Sequence, residues 1–283
     1  MKSSSSLRSD RRPRLRTGAL AGLVAVGALG ALALSGPAAG ASKPAGAKPT
    51  VVLEHGAFAE TSSWNGVIEH LRKDGYRVIA AADPLRGPAA DAAALRGLLD
   101  HVDGSVVLVG HSYGGSVIST AAAGDTKVKA LVYVAAFLPD VGESALELTG
   151  KFPGSTLPGT LDPVPYRLPD GTTGIDLYIK AGKYHHQFAA DVPASAAALM
   201  AATQRPIAQA ALEERAAVAA WKTIPSWAVI ATEDLNIPPA AQRFMAERAH
   251  SRTTEVRASH SVAVSHPDVV AHVIEQAALR SRS

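Results

Sequence analysis

The sequence predicts an α/β protein built on a mainly parallel, doubly wound sheet of about six strands. Short β-branched runs alternate with longer Ala-rich helical stretches along most of the chain, which is the pattern of strand–helix–strand crossovers. Ser105 to Val109 (SVVLV) reads as a fully apolar strand, as expected in a parallel sheet covered on both faces. The rhythm breaks between about Phe137 and Trp221. That stretch predicts a helical cap inserted at residues 138–221.

In order, Thr50–Leu53 (TVVL) predicts the first strand. Ser63–Lys73 predicts a helix, with Trp64, Val67, Ile68 and Leu71 on one side. Tyr76–Ala81 predicts a strand, Asp91–Leu99 a helix, Ser105–Val109 a strand, Ser116–Ala123 a helix and Lys129–Ala135 a strand. Within the insert, Lys151–Thr173 is rich in Pro, Gly and Thr and has no apolar period, while Asp176–Ala220 reads as mostly helical. The pattern resumes with a strand at Ser226–Ala231, a helix at Ala240–Ala249, a strand at Arg252–Arg257 and a helix at Pro267–Leu279.

The first 41 residues stand apart. Lys2, Arg8, Arg11, Arg12, Arg14 and Arg16 face one acid, Asp10, and an uncharged apolar run follows from Gly18 to Leu34. Ala39-Gly40-Ala41 then offers a small-residue cleavage site. This order predicts a secretory signal peptide over residues 1–41, cut before Ser42, and hence a secreted protein. The apolar run of 17 residues is short for a bilayer span, so no stable membrane association is expected after cleavage. Residues 42–49 (SKPAGAKP) read as a linker, and residues 50–283 as the folded domain.

Removing the leader changes the charge. The whole chain carries 28 Lys+Arg and 25 Asp+Glu. Taking away the leader's six cations and one anion leaves 22 against 24. That balance lacks the basic excess of a nucleic-acid binder. The chain has no cysteine, so disulfides, thiol nucleophiles and zinc–thiolate sites are excluded.

Gly110-His111-Ser112-Tyr113-Gly114 spells G-x-S-x-G between a predicted strand and a predicted helix. In that setting the serine sits on a sharp, strained turn that exposes its oxygen. The glycines at 110 and 114 fit a turn in which side chains would collide with nearby backbone. Ser112 is therefore the candidate nucleophile. A serine hydroxyl needs a base within hydrogen-bond reach and an acid to orient that base. With chain order Ser, acid, His, the base falls just past the last strand, on His260, with His266 as the rival. The acid falls after the Ser226–Ala231 strand, on Asp234, with Glu233 and the more distant Asp140 as rivals. An oxyanion needs backbone donors. Tyr113, after the nucleophile, offers one amide. Ala57, in Glu54-His55-Gly56-Ala57-Phe58 after the first strand, offers the other, with Phe58 next to it. No H-E-x-x-H, dinucleotide fingerprint or phosphate loop occurs, so neither a metal nor a cofactor is expected.

HGAFAETSSW, GHSYGGSVI, LVYVAAFLPDVGES, ATEDLNIPP and SHSVAVSHP resemble the α/β-hydrolase group of salicylate-type methyl esterases, pyrethroid-type esterases and hydroxynitrile lyases. The resemblance runs from about Thr50 to the C-terminus and is weakest in the insert. It implies a six-stranded parallel core, a helical cap, no cofactor, a triad at Ser112, Asp234 and His260, and oxyanion amides at Ala57 and Tyr113. It also implies cap residues lining the substrate pocket, with Phe152, Tyr166, Tyr184, Phe188, Met200 and Trp221 as the candidates. The lyases of the group carry lysine directly after the catalytic histidine, where this chain has Ser261. The expectation is therefore ester hydrolysis on a small-molecule ester. A lyase or C–C bond-cleaving enzyme on the same fold, or a non-catalytic binding protein, is the alternative.

Overall fold

The computed structural model describes residues 47–280. The predicted signal peptide at residues 1–41 lies outside the described residues. The first half of the core contains β1 (Thr50–Glu54), α1 (Asn65–Lys73), β2 (Val78–Ala81), α2 (Pro88–Asp100), β3 (Val106–His111), α3 (Gly114–Ala121) and β4 (Val128–Val134). The segment between β4 and β8 holds α4 (Ala145–Gly150), β5 (Leu161–Arg167), β6 (Thr173–Ile179), α5 (Ala181–Phe188), α6 (Ala194–Thr203), β7 (Ile207–Ala208) and α7 (Gln209–Glu213). The core closes with β8 (Ser226–Ala231), α8 (Pro239–Arg248), β9 (Arg252–Val256), α9 (Val262–Ser265) and α10 (Pro267–Arg280).

Six strands form one sheet in the order β2-β1-β3-β4-β8-β9, every neighbouring pair parallel. Successive residues of each strand serve opposite faces. Val51, Leu53, Val107, Val109, Val132 and Val134 pack with Trp64, Val67 and Leu71 and with Val270, Val273 and Ile274 of α10. Val52, Val106, Leu108 and Leu131 instead pack with Leu95 and Leu99 of α2, Val117 and Ile118 of α3, and Met245 of α8. A slip of one residue would exchange the two sets. Because both faces are covered, neither set can be polar, and each fully buried Val, Leu or Ile contributes about 1.5–3 kcal/mol.

β1 continues to β2 on one side and β3 to β4 on the other. The loops leaving the carboxyl ends of β1 and β3 therefore diverge and leave a crevice between them. The loops after β8 and β9 open at the same edge, because all six strands point the same way.

Most predicted boundaries shift by a residue or two, as helix and strand ends do. Tyr76, read as strand, instead closes α1, its amide donating to Leu71 O at 2.9 Å. The larger correction lies in the insert, read as unpatterned and then helical. It contains a three-stranded antiparallel sheet, β5-β6-β7. β5 (LDPVPYR) lies at an edge of that sheet. Pro163 and Pro165 stand two residues apart, so their missing N–H groups share the outer side, where no partner strand needs them. Those prolines hid the strand from a reading by apolar period.

Candidate active site

Ser112 sits between the end of β3 and the start of α3 with φ of 54°, a left-handed conformation costly for a residue with a side chain. Three backbone bonds hold it there. Ser112 N–H donates to Val134 O (3.2 Å), and Ser112 O accepts from Gly115 N–H (3.0 Å) and Phe137 N–H (3.1 Å). A Cβ added at Gly110 would lie 2.6 Å from Gly114 O, and one at Gly114 would lie 2.7 Å from His55 O. Both glycines are thus required by close backbone approach, as the motif implies.

The hydroxyl of Ser112 lies 2.8 Å from Nε2 of His260, and Nδ1 of His260 lies 2.7 Å from Oδ2 of Asp234. Asp234 Oδ1 accepts the amides of Asn236 (2.7 Å) and Ile237 (3.0 Å), while Oδ2 also accepts Gln242 Nε2 (2.8 Å). With both oxygens accepting, Asp234 draws the imidazole proton to Nδ1 and leaves Nε2 as acceptor for the serine proton. Asp234 is 2%, His260 1% and Ser112 6% exposed. The structure therefore brings the three predicted side chains together from the loops after β3, β8 and β9.

The rivals are engaged elsewhere. His266 Nδ1 meets Ser265 Oγ (2.9 Å) and lies 3.7 Å from Asp191. Glu233 pairs with Arg257 (2.6 Å), and Asp140 with Lys222 (2.5 Å), whose ammonium lowers the Asp140 carboxyl below its ordinary range.

The histidine is enclosed by rings. Phe188 meets it edge-on at 4.9 Å between centroids, and His111 lies tilted at 4.8 Å. His111 Nε2–H donates to the backbone oxygen of His260 (3.0 Å). Burial, with His260 beside it, pushes His111 down to about 3. It stays neutral at neutral pH, so it places no positive charge beside the His260 ring. Ser261 Oγ donates to Phe188 O (2.9 Å).

Ala57 and Tyr113 flank Ser112 at one crevice. Phe58 N–H, the other amide considered, donates to Arg205 O (2.9 Å), and Phe58 O accepts from Tyr184 Oη (2.7 Å). Phe58 has φ of 61°, so its turn is held by those two bonds to the insert. This occupies the Phe58 amide, and the adjacent Ala57 lines the crevice.

The crevice wall is not the aromatic set expected from the sequence. Leu146, Leu157, Leu161 and Leu212 of the insert, with Phe137 and Ile237, form most of it, and Thr149 and Asn236 supply polar atoms. Its water-accessible volume is about 70 Å³. Phe152 stacks on Phe244, Tyr166 lies beside Arg86, and Trp221 Nε1–H donates to Pro139 O (2.9 Å). Tyr184 and Met200 line a separate recess. Large rings bury the most area and are drawn into packing, so smaller aliphatic groups are left to line the opening. Gln242 and Asp91 escaped the sequence reading. The available signal was one polar residue on the buried side of each helix, beside Ala241 and Met245 in α8 and beside Ala92 and Leu95 in α2.

Among the described residues, no group of three or more His, Cys, Asp or Glu side chains is arranged to hold a metal. No helix among them is long and apolar enough to cross a membrane.

The family model described as alpha/beta hydrolase family matches residues 51–273. An alpha/beta hydrolase of Aspergillus novofumigatus, nvfD, is 28% identical over 252 residues, covering 82% of this chain and 97% of the relative. A carbendazim-hydrolyzing esterase of a Nocardioides species is 34% identical over 113 residues, 35% of this chain and 47% of the relative. The crystal structure of polyneuridine aldehyde esterase superposes with a TM-score of 0.72 at 18% identity, over 81% of this chain and 99% of that one. At that identity the likeness speaks for the fold.

Proposed function

The chain belongs to the alpha/beta hydrolase family, and on that premise we propose that it is a secreted serine carboxylic-ester hydrolase acting on small to medium esters. One observation carries the reading: a single imidazole bridges Ser112 Oγ at 2.8 Å and the Asp234 carboxylate at 2.7 Å. His260 Nε2 takes the Ser112 proton as Oγ attacks the ester carbonyl. The imidazolium formed is stabilised by Asp234. The carbonyl oxygen becomes an oxyanion held by the amides of Ala57 and Tyr113, with the N-terminus of α3 behind it. Collapse expels the alcohol, which receives the proton from His260. Water, activated by the same histidine, then cleaves the acyl-enzyme and restores Ser112.

The apolar wall of Leu146, Leu157, Leu161 and Leu212 suits an uncharged, compact acyl or alcohol group. A relative named as a carbendazim-hydrolyzing esterase supports the same reaction class. Export rests on the basic–apolar–small order of residues 1–41.

The test is labelling by a fluorophosphonate probe, combined with turnover of p-nitrophenyl acyl esters. Ser112 is the expected labelled residue, and Ser112→Ala is expected to lower kcat about a millionfold. Near-normal turnover by that variant removes the proposal. Export is tested by N-terminal sequencing of protein from the culture medium, with Ser42 as the expected first residue.

A further inference from the structure

Both amides assigned to the oxyanion trace back to one short segment, Asp83–Asp91. Asp83 N–H donates to Nε2 of His55 (3.1 Å), and Nδ1–H of that ring donates to Gly56 O (2.9 Å), one residue before Ala57. On the other side of the crevice, the phenolic O–H of Tyr113 donates to Asp91 Oδ2 (2.7 Å). Asp91 also accepts the amides of Arg86 (3.1 and 3.0 Å) and Gly87 (3.1 Å), so both of its oxygens are acceptors. Asp83 Oδ1 accepts Leu85 N–H (2.9 Å), and Leu85 has φ of 60°. The carboxyl groups therefore set the shape of the segment that the two oxyanion loops lean on.

A third acid completes the group. Glu54, the last residue of β1, lies against Asp83, and Glu54, Asp83, Asp91 and His55 are all buried. Glu54 Oε2 and Asp83 Oδ2 accept from no N–H or hydroxyl, and the carboxyls of Glu54 and Asp83, and of Asp83 and Asp91, face each other within hydrogen-bond reach. Burial, then the charge of Asp83, holds the Glu54 carboxyl well above its ordinary range. Burial, then the charge of Asp91, pushes Asp83 up to about 8. Other charged or titratable groups around the cluster are His55, with Arg205 and Glu60 near it, and Tyr113, with Glu214 near it. Burial lowers His55, which stays neutral, and raises the Tyr113 phenol. Arg86 turns its guanidinium to Asp176 (2.7 Å).

We propose that the buried carboxyl cluster of Glu54, Asp83 and Asp91 is the common anchor of both oxyanion amides, which makes these acids positioning residues for the reaction at Ser112. The hydroxyl of Ser112 bonds instead to His260. When Asp83 loses its proton, a second negative charge appears beside Asp91 without water to screen it. The Asp83–Asp91 segment then moves apart, and the His55 and Tyr113 supports move with it. Transition-state binding weakens, while ground-state binding in the apolar crevice persists.

The inference rests on the proposed ester hydrolysis and is tested by kcat and KM of the full chain from pH 7 to 9.5 on a p-nitrophenyl ester. Wild-type kcat is expected to fall about tenfold over that range with KM changed less than about twofold. Asp83→Asn keeps an acceptor for Leu85 and has no proton to lose, so its kcat is expected to stay flat. Tyr113→Phe, which removes only the phenol, is expected to lower kcat about tenfold at pH 7 with little change in KM. An alkaline limb in Asp83→Asn that matches wild type overturns the proposal, as does an unchanged kcat in Tyr113→Phe. If Asp83→Asn does not fold, Glu54→Gln answers instead: the limb is expected to move by about half a pH unit or more, and an unmoved limb overturns the proposal. Ser112→Ala measured alongside separates the two readings. Activity in that variant sinks ester hydrolysis by Ser112, whereas its inactivity together with an unmoved limb sinks the anchor alone.

Discussion

A side chain added at Gly114 would meet His55 O at 2.7 Å, whereas one added at Gly150 or Gly159, in the insert, would meet nothing within 4 Å. The same contrast runs through the two regions. At the carboxyl edge of the parallel sheet, Ser112, Asp234 and His260 are each fixed by several bonds and are nearly inaccessible to water. In the insert, β5 is an edge strand with mostly exposed residues, and Leu199 stands in solvent. Chemistry needs atoms held to within fractions of an ångström. A wall that only shapes an apolar opening tolerates looser construction. The sheet edge is therefore where small changes are expected to abolish turnover, and the insert is where they are expected to alter which substrate is accepted.

The sharpest way to break this comparison is at the triad. His260→Ala is expected to lower kcat about a millionfold, and Asp234→Asn about ten-thousandfold, because the asparagine amide favours the wrong imidazole tautomer. Steady-state kinetics on a p-nitrophenyl ester measures both, and a loss of less than about tenfold in either would contradict the division. Next in size is stability. Gly114→Ala is expected to cost about 3 kcal/mol by forcing backbone apart, while Gly159→Ala should stay within about 0.5 kcal/mol. Urea unfolding of the two variants side by side is the check.

A change of pH probes the sheet edge further. Asp83 keeps its proton up to about 8 in the folded chain but releases it near about 4 when unfolded. Between those values the folded state binds more protons than the unfolded state. The Asp83 contribution therefore makes stability fall as pH rises, by at most about 1.4 kcal/mol per pH unit. Asp83→Asn is expected to flatten that slope between pH 5 and 7, measured by chemical denaturation. A slope equal to wild type would assign it to other groups. The smallest effect belongs to the insert. Leu157→Ala and Leu161→Ala are expected to raise KM about tenfold for esters with a bulky apolar group and to shift Tm little. A loss confined to kcat would mean that the wall also shapes the transition state.

The parts legible in the sequence are those written by local rules. An apolar run such as Val106–Val109 reads as a covered strand because both faces are buried. Ser112 announces itself because the glycines at 110 and 114 satisfy steric demands that no other residue meets. His260 and Asp234 could be placed because loops after parallel strands open at one edge. The remainder depends on pairings between distant residues. β5 pairs with β6 through a register that its own prolines obscure. The identity of the crevice wall depends on which side chains are left over after the rings of Phe152, Tyr184 and Trp221 have found partners. The Asp91–Tyr113 bond joins positions 22 residues apart, and neither residue shows by type or spacing that it has the other as partner.

Phe58 is clasped at both its amide and its carbonyl by the segment between β4 and β8, through Arg205 and Tyr184. That segment therefore cannot be exchanged as a free module. A chimaera that grafts a foreign roof onto this sheet to change selectivity must bring its own equivalents of those two hands, or the turn ahead of the nucleophile will relax to an ordinary conformation. Position 205 contributes only its main-chain carbonyl, so a library that randomises the roof while sparing Tyr184 and the length of the loop at 205 is expected to yield more active clones than one that varies them too.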